Sequence, residues 1–236
     1  ESYLVTGIFH LKNSNIDLAQ KYFLKAKNSN SRFVVNSYVS HSLYNLSSLS
    51  NFNQALFELQ KLDERFENLK KIQKVFLGCY FDHTKSDKFF SELIFDQNTD
   101  FSRYYYFYAS YLALSGKIKK AKEIVDSALE TYPRNLLLNQ YKIDLNENRN
   151  VQAFNCKKEE HIISEILYIT SNALSSQSIY PLSNFYLNLA KYLNEDFHSY
   201  DTLLAENFYK TNNFDTAKKI YNNLSKKGEA FNWYSS

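Results

Sequence analysis

Two amphipathic helical patterns stand back to back around one glycine between Phe101 and Asn135, in the stretch FSRYYYFYASYLALSGKIKKAKEIVDSALETYPRN. In its first half Tyr105, Tyr108, Ala109 and Leu112 fall at i, i+3, i+4 and i+7, one apolar stripe on a helix of 3.6 residues per turn. Gly116 breaks that pattern. Ile118, Ala121, Val125 and Ala128 then form a second stripe, and Pro133 follows where no helix needs to continue. The stretch reads as a helix-turn-helix hairpin.

The hairpin recurs. Three periods of 34 residues earlier, Tyr3, Gly7, Ile16, Ala19, Phe23 and Ala26 stand where Tyr105, Ala109, Ile118, Ala121, Val125 and Ala128 stand in the best unit. Between them lies a looser unit with Leu43 and Leu46 on its first helix, Phe52 in the turn, and Ala55, Leu59 and Leu62 on its second. A third, from Lys70 to Gln97, is degenerate: Phe89 and Phe90 take the place of the second-helix alanine, which predicts an altered crossing angle there. After the fourth unit, NLLLNQYKIDLNEN reads as one helix, whereas Arg149 to Lys158 shows no apolar period, so that repeat has lost its second half. Regular spacing resumes with Leu167, Leu174, Tyr180, Leu187 and Ala190, with Pro181 in a first helical turn. It resumes again 34 residues on with Leu204, Ala205 and Phe208, then Asn212 in place of the turn glycine, then Phe214, Ala217 and Tyr221.

This order of aromatic, small and large residues around a glycine turn, closed by alanines and a proline, resembles the tetratricopeptide repeat. The block from Glu165 to Leu193 is similar to tetratricopeptide-only proteins of alphaproteobacteria. The resemblance implies an all-α fold, an α-α superhelix in which roughly six hairpins stack into a right-handed solenoid. It implies one domain over residues 1–236, with N-terminal repeats at 1–134, an eroded repeat at 135–158 and C-terminal repeats at 159–236. It also implies a non-catalytic protein–protein interaction scaffold, without a cofactor, that receives a peptide or partner helix in a concave groove. The groove face of the best unit is then Tyr106, Ser110 and Leu114. By register it continues through Leu4, Ile8 and Lys12, through Ser40, Tyr44 and Ser48, and through Thr202, Glu206 and Lys210. Tyr44 and Tyr106 are the expected anchors, and Tyr105 is expected on the packing stripe instead. With Leu4 and Ile8 where some relatives place Lys and Asn, a clamp for a C-terminal carboxylate is disfavoured.

Composition narrows the function classes. Lys and Arg number 28 against 25 Asp and Glu, a net charge of +3 with the signs interspersed, so no electrostatic footprint for nucleic acid or an anionic membrane stands out. No run approaches the roughly 18 apolar residues of a membrane-spanning helix. Only four glycines and two prolines argue against a hairpin-rich β fold. The chain opens inside a repeat and EAFNWYSS reads as the start of another, so it is expected to be a piece of a longer array, with cytoplasm and periplasm both open.

Candidate chemistry is sparse. Cys79 and His83 stand at i, i+4 and could share a metal or form a thiolate–imidazolium couple, but no further ligand pair accompanies them. Cys79 and Cys156 are far apart and signal neither a disulfide framework nor a zinc site. His10, His41, His161 and His198 match no catalytic motif. The aromatic run Tyr104 to Tyr108 could stack bases in single-stranded nucleic acid or in RNA bound by a pentatricopeptide-like array, but only Arg103 flanks it with positive charge. The basic run Lys117 to Lys122 reads as a solvated helix face, with Lys119 and Lys120 both outward.

Overall fold

The computed structural model describes residues 2–29, 34–63, 66–96, 100–149 and 153–235. Among them the chain forms fourteen helices and no strand. In order they are α1 (Ser2–Lys12), α2 (Ile16–Ser29), α3 (Val34–Ser47), α4 (Phe52–Gln60), α5 (Glu67–Tyr80), α6 (Ser86–Ile94), α7 (Tyr104–Leu114) and α8 (Ile118–Thr131). Then follow α9 (Leu136–Asn146), α10 (Glu159–Ser176), α11 (Tyr180–Leu193), α12 (Ser199–Lys210), α13 (Phe214–Leu224) and α14 (Glu229–Ser235).

The repeat is written in the backbone of the turns. Ser14, Asp82, Gly116, Asn148, Ser178 and Asn212 each follow the end of a helix in the left-handed region, with φ between 51° and 75°. At each, the next amide N–H donates to a carbonyl five residues back, closing a Schellman turn. The pairs are Asn15 to His10, His83 to Gly78, Lys117 to Leu112, Arg149 to Asp144, Ile179 to Leu174 and Asn213 to Phe208, all at 2.9 Å. Asp82 to Gly116 and Ser178 to Asn212 are both one repeat apart. Asn212 does take the glycine's conformation, as its type allows. The α3–α4 connection is different: Asn51 caps α4 by accepting from the Gln54 amide.

Side-chain volumes within hairpins compensate one another. Gly7 on α1 meets Phe23 on α2 so closely that a methyl group at position 7 would overlap the ring. One hundred and two residues on, the same pair is Ala109 and Val125, a larger residue facing a smaller one, and all four are buried. In the third hairpin the small partner has moved to α5, where a side chain at Gly78 would press on Phe89 and Ser86 of α6. Ala19, Ala55, Ala121 and Ala190 are fully buried, as tight helix pairing requires.

The architecture is all-helical, as read, and its hairpins do not pack on their sequence neighbours alone. α10 packs against α3 and α1 as well as its own partner α11, α11 packs on α1, and α14 packs on α9. Helices α1 to α9 therefore form one arm and α10 to α14 a second that lies back along it. Lys12 of α1 donates to the Leu193 carbonyl at the end of α11 and pairs with Glu195. The central α10 is buried through seven consecutive residues, His161 to Leu167, and so has no solvated face over that stretch.

The reversal occurs at the eroded repeat. After α9 the Schellman turn at Asn148 survives, but residues 153–158 form no helix. Phe154 from this crossing enters the core between Phe107, 4.5 Å away ring to ring, and Phe76, 5.3 Å away. Cys156 is disulfide-bonded to Cys79 of α5, with Cα atoms 6.0 Å apart, so the two cysteines read as unrelated in the sequence are partners. Lys157 fastens the same crossing by donating to the Tyr80 carbonyl and pairing with Asp82. The Ala153 carbonyl accepts from the Asn194 amide of the second arm.

Candidate binding cleft between the two arms

A tight turn leads into α7: the Ser102 amide donates to the Asp100 carboxylate and the Tyr104 amide to the Phe101 carbonyl. It delivers Arg103 to the seam between the arms. The guanidinium donates from Nε and Nη2 to the two carboxylate oxygens of Glu165 on α10, both at 2.8 Å, and from Nη1 to Ser199 Oγ at 2.8 Å. Its Cζ lies 3.7 Å from the centroid of the Tyr168 ring. Burial pushes the Glu165 carboxyl up, and the adjacent guanidinium holds it down. Each charge satisfies the other, so neither is free to act as an acid or base.

Above this seam runs a cleft of about 490 Å³. Asn135 shapes one wall by capping α9, accepting from the Leu138 amide, which sets Leu136 and Leu137 along the floor. Ile72 of α5 and Ile169 of α10 complete the apolar surface, and Asn68, Asn172 and Thr202 stand at its rim. Leu137 and Phe231 also border a neighbouring cleft of about 350 Å³, walled by Tyr106, Tyr141 and Phe197 and edged by Asp144, Arg149, His198 and Lys227. Burial raises the Asp144 carboxyl, opposed by the Gln140 amide that donates to it and by Arg149. A third cleft, about 520 Å³ between α4, α5 and α6, lies on one arm, and its Lys71 and Lys74 are already paired with Asp96 and Glu92.

The twelve residues read as a groove face do not form one surface. Leu4, Ile8, Ser40, Tyr106 and Ser110 are buried. Lys12 holds the second arm, and Glu206 accepts from the Tyr234 hydroxyl. Tyr44, Ser48, Leu114 and Lys210 are exposed, and of the twelve only Thr202 and Tyr106 border the clefts. The anchor assignment shifts by one residue. Tyr106 is 2% exposed and packs between Tyr141 and Phe197, whereas Tyr105 is half-buried against Phe95 and Tyr132. The cause is that α7, YYYFYASYLAL, is apolar all round, so periodicity cannot choose its face.

The other candidates also change. α5 ends at Tyr80, which puts His83 in the turn beyond the helix, stacked on Phe89 and against Phe52, while the Cys79 sulfur is bonded to Cys156. The two share no site. Lys119 is exposed as expected, but Lys120 is not merely solvated: it pairs with Asp87 at 2.8 Å, and Asp87 also accepts from the Tyr108 hydroxyl. Among the described residues no group of three or more His, Cys, Asp or Glu side chains is placed to hold a metal ion, and no helix is long and apolar enough to cross a membrane.

Arg103, Leu137, Asn172 and Phe231 are the cleft residues that register transfer missed. One signal was present: Glu165 interrupts the apolar run HIISEIL, and a charge at such a position demands a buried partner. The chain matches no protein-family model and no curated protein sequence.

Proposed function

We propose that the protein is a non-catalytic protein–protein interaction scaffold of the tetratricopeptide type, and that it receives a peptide or partner helix in the cleft between its arms. The observation that carries this reading is the cleft's chemistry. An apolar surface of Ile72, Leu136, Leu137 and Ile169 is bordered by Asn68, Asn172 and Thr202, with Asp100 and the Glu165-paired Arg103 also lining the cleft. Such a surface suits an extended or helical segment, with apolar anchors below and main-chain hydrogen bonds at the rim. The repeated Schellman turns support the tetratricopeptide part of the reading. The Cys79–Cys156 pairing favours an oxidising compartment, hence the periplasm over the cytoplasm.

The test is affinity capture with wild type, a cleft variant Asn172→Arg/Thr202→Arg, and a remote control Lys119→Glu. The cleft variant should lose the partner that the other two retain, at an unchanged melting temperature. Retention of every partner by a folded cleft variant would overturn the reading.

A further inference from the structure

Three links run side by side between the crossing and the end of α5. Cys156 is bonded to Cys79. Lys157 reaches across the same gap, donating to the Tyr80 carbonyl at 2.9 Å and pairing with Asp82 at 2.6 Å. Glu159, two residues further on, accepts from the Tyr80 hydroxyl at 2.5 Å. The covalent link is the inner one: Cys79 is 3% and Cys156 6% exposed, whereas Lys157 and Asp82 stand at the surface. Beneath it the crossing is rooted by Phe154 against Phe76, and the Asn155 amide donates to His161 Nδ1.

Thiol–disulfide exchange needs a thiolate to reach a sulfur, so its rate depends on access. We infer that the folded protein seals the Cys79–Cys156 bond against thiols, and that the Lys157–Asp82 and Tyr80–Glu159 links form the seal. The bond is then a lock that the folded chain keeps shut, not a switch answering to the redox poise of its surroundings. Reduction requires the crossing to lift. One thiolate of an external dithiol then attacks a sulfur and forms a mixed disulfide, and its second thiol releases the protein. Two electrons and two protons end on Cys79 and Cys156 while the dithiol closes into its own disulfide. The lifting is local, because residues 153–158 form no helix and the outer links are polar contacts near the surface, each weak by itself.

The test is the rate at which dithiothreitol at about 10 mM reduces the oxidised protein in native buffer, read by alkylation of the freed thiols. Wild type should react about a hundredfold more slowly than the same protein unfolded in urea. Tyr80→Phe removes one link without a change of charge and should speed reduction. Tyr80→Phe/Asp82→Asn removes the ion pair as well, with an asparagine suited to the left-handed backbone at position 82. It should react about tenfold faster than wild type, with the melting temperature of the oxidised protein unchanged. Tyr105→Ala, whose ring contacts are with Phe95 and Tyr132 and not with the crossing, should react as wild type does. Native wild type reduced as fast as the unfolded chain, or a double variant no faster than wild type, would overturn the seal. Equal acceleration by Tyr105→Ala and the double variant would mean that reduction waits for global unfolding, and would overturn the local lifting.

Discussion

Arg103 and Glu165, 62 residues apart, meet in a fork of two parallel hydrogen bonds of 2.8 Å each across the seam between the arms. Two charges taken out of water are stabilising only while both remain. Glu165→Leu alone strands the guanidinium and should cost about 3 to 5 kcal/mol, whereas the double variant Arg103→Met/Glu165→Leu should recover most of that loss. Denaturant melts of the two variants decide it. A double variant no more stable than the single would mean that the pair is not an isolated couple.

Acid should loosen the crossing through His161. Its Nδ1 accepts from the Asn155 amide at 3.0 Å, and burial, with Lys158 and Lys12 nearby, holds its pKa at about 4 against Asp196, which acts to raise it. Because the folded value lies below the ordinary 6.5, the neutral ring stabilises the fold fully above pH 6.5. That contribution is lost as pH falls from there through about 4. At pH 5 the loss is about 2 kcal/mol. His161→Gln keeps an acceptor without a proton to gain, so its melting temperature should change less between pH 7 and pH 5 than that of wild type.

Reduction should act at the same place. The Cys79–Cys156 bond closes a loop over a separation of 77 residues, worth about 4.5 kcal/mol by loop entropy alone. Melts with and without a strong reductant, repeated on Cys156→Ser, should show a large reductant effect in wild type and none in the variant. Limited proteolysis of the reduced protein should nick first near 153–158.

Tyr106→Ala removes a ring enclosed by Tyr141 and Phe197 and should destabilise by about 3 to 5 kcal/mol. Tyr105→Ala removes a half-buried ring and should cost about 1 kcal/mol. Equal losses in parallel thermal melts would mean that the face of α7 is assigned wrongly.

What was legible in the sequence was local. The alanines at 19, 55 and 121 and the turn at Asn212 follow from a period, because each hairpin packs on residues a few turns away. The return of the second arm was not legible, since its determinants are single residues without periodicity: Glu165 in an apolar run, Phe154 in a segment of no pattern, and two distant cysteines. The groove face failed for a related reason. Register transfer assumes that one side of each first helix stays open, and the folded-back arm occupies the space that assumption reserves.

The contacts of Lys12 with the end of α11, and of α14 with α9, give the array a different folding character from an open stack. In a stack of repeats, stability is a sum over neighbours, and end units fray independently. Here α1 and α14 are each held by elements far away in sequence, so loop closure must precede much of the native burial. Unfolding should therefore be a single cooperative event with slow refolding, and deleting one hairpin should remove support from both arms rather than shorten the molecule by one unit.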